Sequence, residues 1–400
     1  MEDPRTRLLS ETARRLDEPG VAAELLTVAC QRAGVRLLDH HRRSVHRRGG
    51  RSVSHVFEAR IQTADERRAV LLVAHADARG LPDGAFVLEH GDARIAVWRF
   101  PNDPYLPGLP SAIDAGRVRE LLERLGAPSG ALRLRTRAYR PSRRAVVEIT
   151  VADNASSRRV LYLKVLSGNR ATALADRHRQ LVDHVPVPRV IGVADGQGIV
   201  ALEALPGRTL REAATEGAAV AEPAALLELS RRLQASGLVS DRSPRVFADP
   251  GRHVDLLCEL APEAARTVRH VADEATRVDG PVGVVHGDLH TGQILVDDGA
   301  IVGLLDIDGA GDGLLAHDAG RLVAYLQVLG ELRPDAKERV EAYAAEIADV
   351  YRPEVGRKAL ARATAGAWLA LATSAHRSQE TDWPATTRRR IERAAAALQG

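Results

Sequence analysis

The strongest constraint on how this chain folds is the segment at residues 286–308, where two acidic positions flank a predicted hairpin. Asp288 lies in a short polar loop that follows the apolar run at 281–285, and Gln293 comes five residues later. The two apolar runs after Gln293 are separated by a turn at 297–299 that reads Asp-Asp-Gly, and an Asp-Gly pair between such runs is typical of a β-hairpin. The second strand of a hairpin ends beside the start of the first, so the residues that follow it return to Gln293.

Asp306 ends this second strand and is therefore expected close to Gln293. Carboxylate and amide oxygens, completed by phosphate oxygens and water, suit Mg²⁺, which seldom accepts a ligand set made only of protein groups. Such a metal site beside an acid that can receive a hydroxyl proton is the arrangement of a kinase catalytic loop. We predict that Asp288 orients and deprotonates an acceptor hydroxyl, while Gln293 and Asp306 bind Mg²⁺ beside ATP. Each residue alone would fit an ordinary turn, but their combination between apolar strands favours the kinase interpretation.

The run HGDLHTGQILVDDGAIVGLLDIDGAG, at residues 286–311, resembles the catalytic motif of the aminoglycoside phosphotransferase and choline kinase superfamily. These are protein-kinase-like enzymes that phosphorylate hydroxyl groups of small molecules. Their loop usually reads HGDxHxxN, and Gln293 is instead similar to what actinobacterial maltokinases and related amino-sugar kinases carry. The resemblance extends over residues 135–330. It implies ATP and Mg²⁺ as cofactors, Asp288 and His286 as catalytic residues, and Asp318 as a brace for the loop.

One lysine stands out because lysine is rare in this chain. Only Lys164, Lys337 and Lys358 occur among many arginines, and Lys164 lies inside the apolar run at 160–166. A compact ammonium group suits contact with nucleotide phosphates, as on the third strand of kinase N-lobes. We predict this role for Lys164. A lysine that protects an edge strand from aggregation is the other interpretation.

The remaining nucleotide contacts are chosen by position along the chain. The helix expected at 171–182 contains no glutamate, so Asp176 is the expected acidic partner of Lys164. The run at 200–207 resembles the hinge between the lobes in the superfamily, which implies that the backbone at Glu203 and Leu205 hydrogen-bonds adenine. The turn at 140–144 has no GxGxxG pattern. Its arginines would either contact phosphate or be solvated.

Composition and charge exclude several classes of protein. A net charge of +3 over 400 residues, with basic residues scattered among acids, argues against nucleic-acid binding through a basic face. The conspicuous uncharged stretch at residues 363–375 is too short to cross a bilayer, and the N-terminus has no apolar signal segment. Cys30 and Cys258 are the only cysteines, which is typical of reduced thiols in a cytoplasmic protein. We expect a cytoplasmic enzyme without a nucleic-acid or membrane partner.

The predicted fold class is α+β. It is a bilobal protein-kinase-like fold with an antiparallel sheet in the N-lobe, a mainly helical C-lobe and an extra α+β cap at the N-terminus. We expect the cap and its connector at residues 1–126, the N-lobe at 127–206 and the C-lobe with the catalytic loop at 207–400. Prolines, including Pro353, are expected to interrupt the C-lobe helices. Maltokinase-like enzymes carry an N-terminal cap of this kind.

Two segments of the chain resemble each other. An arginine-rich turn, a strand, a double arginine and a second strand occur at residues 48–73 and again at 140–164. In this comparison Val73 takes the position of Lys164. One interpretation is a cap that resembles the N-lobe but lacks its phosphate-binding lysine. The other is that two arginine-flanked hairpins are alike by composition.

The predicted activity is transfer of the γ-phosphoryl group of ATP to a hydroxyl of a small molecule, with a sugar or amino sugar as the expected acceptor. An antibiotic-modifying aminoglycoside phosphotransferase is an alternative of the same class. A nucleotide-binding pseudokinase with a regulatory role is an alternative of another class, suggested by Gln293 and by the missing glutamate partner of Lys164. The sequence specifies neither the acceptor, nor the nucleotide, nor the oligomeric state.

Overall fold

The computed structural model of the protein describes residues 4–48, 50–82, 85–90, 93–152, 158–239 and 249–399. The chain divides into two compact units, each with its own core. The sheet unit comprises Met1–Thr172, Gly192–Ala201 and His376–Trp383. The helical unit comprises Ala173–Ile191, Leu202–Ala375 and Pro384–Gly400. The three-part division at residues 126 and 206 stays a prediction.

The first part of the sheet unit consists of two helices and a five-stranded antiparallel sheet. Its elements are α1 (Pro4–Asp17), α2 (Pro19–Arg32), β1 (Arg36–Arg48), β2 (Ser52–Gln62), β3 (Arg67–Asp77), β4 (Phe86–His90) and β5 (Ala93–Arg99). The strands lie in the order β1-β2-β3-β5-β4. Neighbouring strands in this order pair antiparallel.

The two faces of this sheet bury different side chains, because successive residues of a strand point to opposite faces. One face packs on α1 and α2 through an apolar core that includes Leu26 and Phe57. Each such buried side chain contributes about 1.5–3 kcal/mol to the free energy of folding. The opposite face carries a cluster around Val73 and Trp98. Tyr105, from the connector after β5, covers this face with its ring centroid 6.2 Å from that of Trp98.

The second sheet also has five strands and is preceded by two short helices. These elements are α3 (Leu109–Ala112), α4 (Ala115–Arg124), β6 (Ala131–Arg140), β7 (Arg144–Ala152), β8 (Arg158–Leu166), α5 (Arg170–Leu181), β9 (Val190–Ala194) and β10 (Ile199–Glu203). The strand order is β6-β7-β8-β10-β9. The predicted strands at 145–151 and 160–166 and the helix at 171–182 therefore form where the sequence pattern indicates them.

The two sheets share one topology, with strand order 1-2-3-5-4 when each is numbered along the chain. The first strand of each sheet carries a β-bulge, beside Val56 in one sheet and beside Val146 in the other. On the third strand of each sheet, Val73 pairs with Val56 and Lys164 pairs with Val146. The structure thus confirms Val73 as the counterpart of Lys164, and the likeness goes beyond composition. Gly49, in the first arginine-rich turn, lies outside the described residues.

The helical unit is built from helices around two small sheets. Its further elements are β11 (Arg208–Thr209), α6 (Leu210–Glu216), α7 (Pro223–Gln234), α8 (Gly251–Leu260), α9 (Ala265–Ala275), β12 (Val282–Val285), β13 (Ile294–Asp297), β14 (Ala300–Leu304), β15 (Gly311–Leu314), α10 (Leu315–Leu332), α11 (Lys337–Val355), α12 (Arg357–Ser378) and α13 (Trp383–Ala397). One sheet has the order β11-β13-β14, and the other is the pair β12-β15. The predicted hairpin at residues 294–305 is confirmed as β13–β14.

Helix α10 follows β15 directly and packs against α11 and α12 in this unit. A side chain at Gly320 of α10 would place its Cβ 2.5 Å from the backbone nitrogen of Thr364 on α12, so only glycine allows this approach. The predicted α+β fold, with antiparallel sheets followed by a mainly helical region, is confirmed. The expected helix break at Pro353 is wrong, because α11 includes this proline near its end and continues to Val355. Among the described residues, no helix is long and apolar enough to cross a membrane.

A buried histidine in the first sheet makes stability depend on pH. His75 on β3 is fully buried, and its Nδ1 lies 2.8 Å from the Ser54 hydroxyl. Burial lowers the pKa of His75 to about 4, whereas an unfolded histidine has a pKa of about 6.5. The unfolded chain therefore binds this proton more tightly than the folded protein does. The stability that neutral His75 contributes is complete above the unfolded pKa and is lost as the pH falls towards 4.

The substitution His75→Gln is expected to flatten the decline in the free energy of unfolding between pH 6.5 and pH 4. The slope should fall by roughly 1 kcal/mol for each pH unit. Urea unfolding at a series of pH values, followed by tryptophan fluorescence, measures this. His41→Gln is the matched control, because the His41 side chain is 68% exposed. An equally steep decline in His75→Gln and in the wild type would contradict the burial effect.

Candidate active site

The catalytic loop, residues 286–293, is fixed by strands at both ends. β12 leads into it and pairs with β15, and β13 leaves it as the first strand of the hairpin. Within the loop, Gly287 has a φ of 80°, a conformation that glycine adopts without steric cost. The loop is therefore a tight turn between two anchored strands.

Asp318, near the start of α10, holds the backbone of this loop. Its carboxylate is 2% exposed and accepts hydrogen bonds from the backbone N–H groups of His286, at 2.7 Å, and Gly287, at 2.9 Å. Burial raises the pKa of Asp318 above its ordinary value, while His286, the two N–H groups and Arg321 act in the opposite direction. The structure thus shows the bracing contact that the family resemblance implies for Asp318.

His286 ties the loop to the end of the β13–β14 hairpin. Its Nε2 lies 2.8 Å from the carbonyl oxygen of Leu305. A carbonyl oxygen can only accept, so Nε2 carries the ring proton. The Nδ1 of the same ring accepts a hydrogen bond from the Asp288 backbone N–H at 3.2 Å. One buried ring therefore fixes the backbone at Asp288 and at the residue before Asp306.

The Asp288 carboxylate is held by an arginine that the sequence analysis did not single out. Arg321 Nη1 lies 2.9 Å from Asp288 Oδ1, and the two side chains are 11% and 23% exposed. Burial acts against the Arg321 charge, but the nearby Asp288, Tyr325 and Asp318 outweigh it and raise the pKa of Arg321. Among the described residues, none donates a hydrogen bond to Asp288 Oδ2. One carboxylate oxygen is thus oriented by Arg321, and the other is left for a ligand.

Gln293 and Asp306 meet at the open end of the hairpin. The backbone N–H of Leu305 donates to the Gln293 carbonyl at 2.7 Å, and the amide end of the Gln293 side chain lies 3.3 Å from Asp306 Oδ2. Asp306 has φ 56° and ψ 43°, in the left-handed region. A residue with a Cβ pays about 1–2 kcal/mol for that conformation, and such strain concentrates at functional sites.

The ring of His290 lies beside the side-chain amide of Gln293. Burial lowers the pKa of His290 to about 4, so the ring is neutral at physiological pH. Its Nδ1 accepts from the Gly292 backbone N–H at 3.0 Å, which leaves the proton on Nε2, 3.3 Å from the Gln293 amide. Amide oxygen and nitrogen are assigned only by their hydrogen bonds. The His290 proton favours an amide oxygen at this point, whereas the Asp306 carboxylate favours the amide nitrogen, which donates to Asp306 Oδ2 at 3.3 Å in this structure.

A divalent cation between the two side chains would favour the amide turned over, with the Gln293 oxygen beside Asp306 Oδ2. Their separation is the 3.3 Å between the Gln293 amide end and Asp306 Oδ2. Adjacent oxygens in an octahedral Mg²⁺ shell are about 3 Å apart. A neutral amide and a carboxylate leave room for water and phosphate oxygens, as Mg²⁺ prefers. The donor set therefore fits the divalent metal that the sequence predicts.

Tyr325 connects the two halves of the site. Its ring stacks on His290, with centroids 4.4 Å apart and planes 6° from parallel. Its hydroxyl is hydrogen-bonded with Arg321. The contacts run from Asp288 through Arg321 and Tyr325 to His290 and the Gln293 amide.

Sequence reasoning missed Arg321 and Tyr325, although a local signal was present. Asp318, Arg321 and Tyr325 are spaced i, i+3 and i+7 on α10, which places polar side chains along one face of a helix that is otherwise largely apolar. Such a polar line on a buried helix indicates that the face meets a site. Only the first of the three residues was recognised, through the family resemblance.

The hinge-like segment after β10 packs against the hairpin of the helical unit. The backbone N–H of Glu203 donates to the Arg189 carbonyl at 3.0 Å, and the Glu203 side chain is exposed. A Cβ on Gly303 would lie 2.9 Å from Leu205 Cδ1, and one on Gly207 would lie 2.6 Å from the Val296 carbonyl. The segment is therefore held against β13 and β14.

Lys164 and Asp176 belong to different units. Lys164 lies on β8 in the sheet unit and is 9% exposed. Asp176 lies on α5 in the helical unit and forms a 2.7 Å ion pair with Arg179, with about half of each side chain exposed. The next residue, Arg177, is buried and donates to the Asp308 carbonyl at 3.1 Å. The pairing of Asp176 with Lys164 stays a prediction.

Comparison with protein families supports the catalytic-loop assignment. Residues 161–354 match the model of the Phosphotransferase enzyme family. This segment contains the whole catalytic loop, the hairpin and α10. No match was found among curated proteins. The resemblance drawn from the loop motif is thereby confirmed, and the enzyme class is that of the small-molecule phosphotransferases.

Comparison with solved structures supports the fold. A thermostable mutant of aminoglycoside phosphotransferase APH(4)-Ia, bound to AMP-PNP and hygromycin B, aligns with 71% of this chain and 99% of its own length, with a TM-score of 0.50 and 16% sequence identity. A choline/ethanolamine kinase family protein from Mesorhizobium loti aligns with 71% of this chain and 95% of its own, with a TM-score of 0.47 and 17% identity. At 16% identity, the likeness to the aminoglycoside phosphotransferase concerns the fold alone.

The two backbone hydrogen bonds to Asp318 predict a large stability effect. Asp318→Ala leaves two buried N–H groups without an acceptor, and each costs about 1–3 kcal/mol. We expect the free energy of unfolding to fall by about 2–5 kcal/mol, measured by urea unfolding. Asp312→Ala, which removes an exposed acid on β15, is the control and should change stability little. Equal stability of both variants would mean that the buried carboxylate does not hold the loop.

Proposed function

We propose that this small-molecule phosphotransferase moves the γ-phosphoryl group of ATP to a hydroxyl group of a sugar or amino sugar. The observation that carries the proposal is the placement of Asp288 and the pair Gln293–Asp306 on one braced loop and hairpin. Asp288 Oδ2 accepts a hydrogen bond from the hydroxyl of the sugar and so orients it. The same oxygen receives the hydroxyl proton as the new bond to phosphorus forms.

Gln293 and Asp306 would hold Mg²⁺ through their side-chain oxygens. Mg²⁺, when bound, neutralises negative charge on the transferring phosphoryl group. His290 Nε2 lies 3.3 Å from the amide end of Gln293, and donation of its ring proton to the amide oxygen would hold that oxygen beside the metal. Asp306 has a left-handed backbone conformation. It is held in position through its neighbour Leu305, whose carbonyl accepts from His286 Nε2 and whose N–H donates to the Gln293 carbonyl.

The nucleotide contacts in this proposal are assigned residue by residue. Lys164 contacts phosphate through its ammonium group, and Asp176 is the proposed acidic partner. At the hinge, the carbonyl of Glu203 accepts from the adenine amino group and the N–H of Leu205 donates to the ring. The Glu203 N–H is already donated to Arg189, so the carbonyl is the group of Glu203 that remains for adenine.

Arg321 is a positioning residue, because it acts through Asp288 and not on the substrate. Its hydrogen bond to Oδ1 fixes the rotamer of Asp288 and keeps Oδ2 towards the ligand side. Fixing a reacting group in advance lowers the entropy that must be lost in the transition state. Catalysis then consists of positioning and electrostatic stabilisation, without a covalent enzyme intermediate.

The acceptor class is proposed from two observations. Gln293 resembles the loop residue of maltokinases and amino-sugar kinases. A protein of the same fold was solved with AMP-PNP and hygromycin B, so aminoglycosides are the alternative acceptors and belong in the same test. The two cysteines, with Cys30 buried, are consistent with a proposed cytoplasmic location.

The test is ADP release from Mg²⁺-ATP with a panel of sugars, amino sugars and aminoglycosides. We expect one acceptor class to stimulate release, and Asp288→Asn to lower the stimulated rate by at least about 100-fold, which is the typical contribution of a general base. Asp298→Asn is the matched control, because Asp298 is an exposed acid in the turn of the same hairpin and should leave the rate unchanged.

Three results would contradict the proposal in different ways. Failure of the wild type to bind ATP would exclude the kinase assignment. Stimulated release that persists in Asp288→Asn would show that another group receives the hydroxyl proton. Binding of ATP without turnover for every acceptor would favour the pseudokinase alternative.

A further inference from the structure

The backbone at Asp306 has a conformation that its surroundings must hold. Asp306 lies in the left-handed region, and a 3₁₀ turn, Ile307–Gly309, follows it directly. A left-handed residue with a Cβ persists only where neighbouring contacts fix it. The direction of the Asp306 carboxylate, and therefore its distance from Gln293, depends on that backbone. The contacts of residues 304–308 thus decide where the proposed metal-binding carboxylate lies.

The chain before Asp306 is fixed by two neighbouring residues. The backbone N–H of Leu304 donates to the Pro186 carbonyl at 2.8 Å, and both backbone polar groups of Leu305 are bonded to the catalytic loop. The side chains of Leu304 and Val187 are buried in the same core. The segment at 185–188, which follows α5, therefore supports the end of β14.

The chain after Asp306 is held by an arginine of α5. Arg177 is 6% exposed, and its Nη1 donates to the Asp308 carbonyl at 3.1 Å. Within the same turn, the Ala310 N–H donates to the Ile307 carbonyl at 3.0 Å. The Asp308 carbonyl belongs to the middle residue of the 3₁₀ turn, so the guanidinium fixes the turn that begins at Asp306.

The next residue of α5 ties this helix to the chain before Asp306. His178 is 1% exposed, and its Nδ1 lies 2.8 Å from the Pro188 carbonyl. A carbonyl oxygen can only accept, so Nδ1 donates this hydrogen bond. Pro188 lies two residues after Pro186, the residue whose carbonyl accepts from β14. Two consecutive residues of α5 therefore support Asp306 from both directions along the chain, all within the helical unit.

A buried arginine is a costly way to fill this space. A guanidinium loses its hydration on burial, and only the hydrogen bonds and ion pairs that replace the water offset that cost. An apolar side chain of similar volume would pack α5 against the same core without it. The arginine therefore points to a role that depends on its hydrogen bond to the turn, beyond packing.

We propose that Arg177 is a positioning residue for the metal site. Through the Asp308 carbonyl it holds Asp306 at the distance from Gln293 that a divalent cation needs. The inference rests on the proposed function for the presence of the metal. Residues that orient metal ligands without meeting the metal typically change metal affinity by about 10- to 100-fold when they are replaced.

The test measures the affinity of the full-length protein for AMP-PNP by calorimetry, once with Mg²⁺ and once with EDTA. We expect Mg²⁺ to strengthen nucleotide binding by the wild type. Arg177→Met keeps a long apolar stem but removes the donor, and it should reduce this strengthening by about 10-fold, while the affinity in EDTA stays unchanged. Arg232→Met, on an exposed arginine of α7, is the matched control and should behave as the wild type.

A double-mutant comparison separates positioning from a general structural role. If Arg177 acts through Asp306, Arg177→Met should cause no further loss of the Mg²⁺ effect in an Asp306→Asn background. An equal loss of affinity with Mg²⁺ and with EDTA would overturn the inference and assign Arg177 to folding. Arg177→Lys, which keeps a buried cation, is the second variant if Arg177→Met does not fold, and it should show a smaller loss confined to the Mg²⁺ effect.

The outcomes also distinguish this inference from the proposed function. A wild type and Arg177 variants that respond equally to Mg²⁺ would overturn the role of Arg177 and leave the kinase proposal standing. A wild type that binds AMP-PNP neither with Mg²⁺ nor with EDTA would overturn the kinase proposal and, with it, the inference.

Discussion

The buried carboxylate of Asp318 is the interaction on which the rest of the site depends. It accepts the two successive N–H groups of His286 and Gly287, and a buried carboxylate is stable in a protein only when its oxygens are satisfied in this way. The turn that results places His286 against Leu305 and directs Asp288 to Arg321. Because His286 also reaches the residue before Asp306, the same bond orders the catalytic loop and the end of the hairpin.

A series of side-chain contacts connects Asp288 with the Gln293–Asp306 pair. Arg321 neutralises one oxygen of Asp288, and Tyr325 joins this pair to the ring of His290. A neutral His290 carries one ring proton, and its Nε2 lies 3.3 Å from the Gln293 amide. The side chain of Gln293 is longer than the asparagine usual in the superfamily, but its amide end still lies 3.3 Å from Asp306 Oδ2, so the departure from the common motif is compatible with metal binding.

Much of this site could be predicted because its parts are close in sequence. Asp288, Gln293 and Asp306 lie within one loop and one hairpin, and the Asp-Gly turn sets their return by local geometry. The strand register also confirmed the relation of Val73 to Lys164, which rested on a pattern of arginines. Two hydrogen bonds escaped prediction, one from Arg321 to Asp288 and one from the Ser142 backbone N–H to Asp103. Each joins residues more than 30 positions apart, and a single side chain carries no signal of a distant partner. Pro353 was misread because one proline removes only its own N–H hydrogen bond, and the helix continues for just two residues, to Val355.

The central claim is that a braced aspartate and a two-oxygen metal site transfer the γ-phosphoryl group of ATP to a hydroxyl. Phosphorus-31 NMR of the reaction with ATP, Mg²⁺ and the stimulating acceptor tests it most directly. The prediction is a phosphomonoester resonance that grows as the γ-phosphate resonance declines, requires Mg²⁺, and is absent with Asp306→Asn. Loss of the γ-phosphate only as inorganic phosphate, or a phosphomonoester formed equally well by Asp306→Asn, would contradict it.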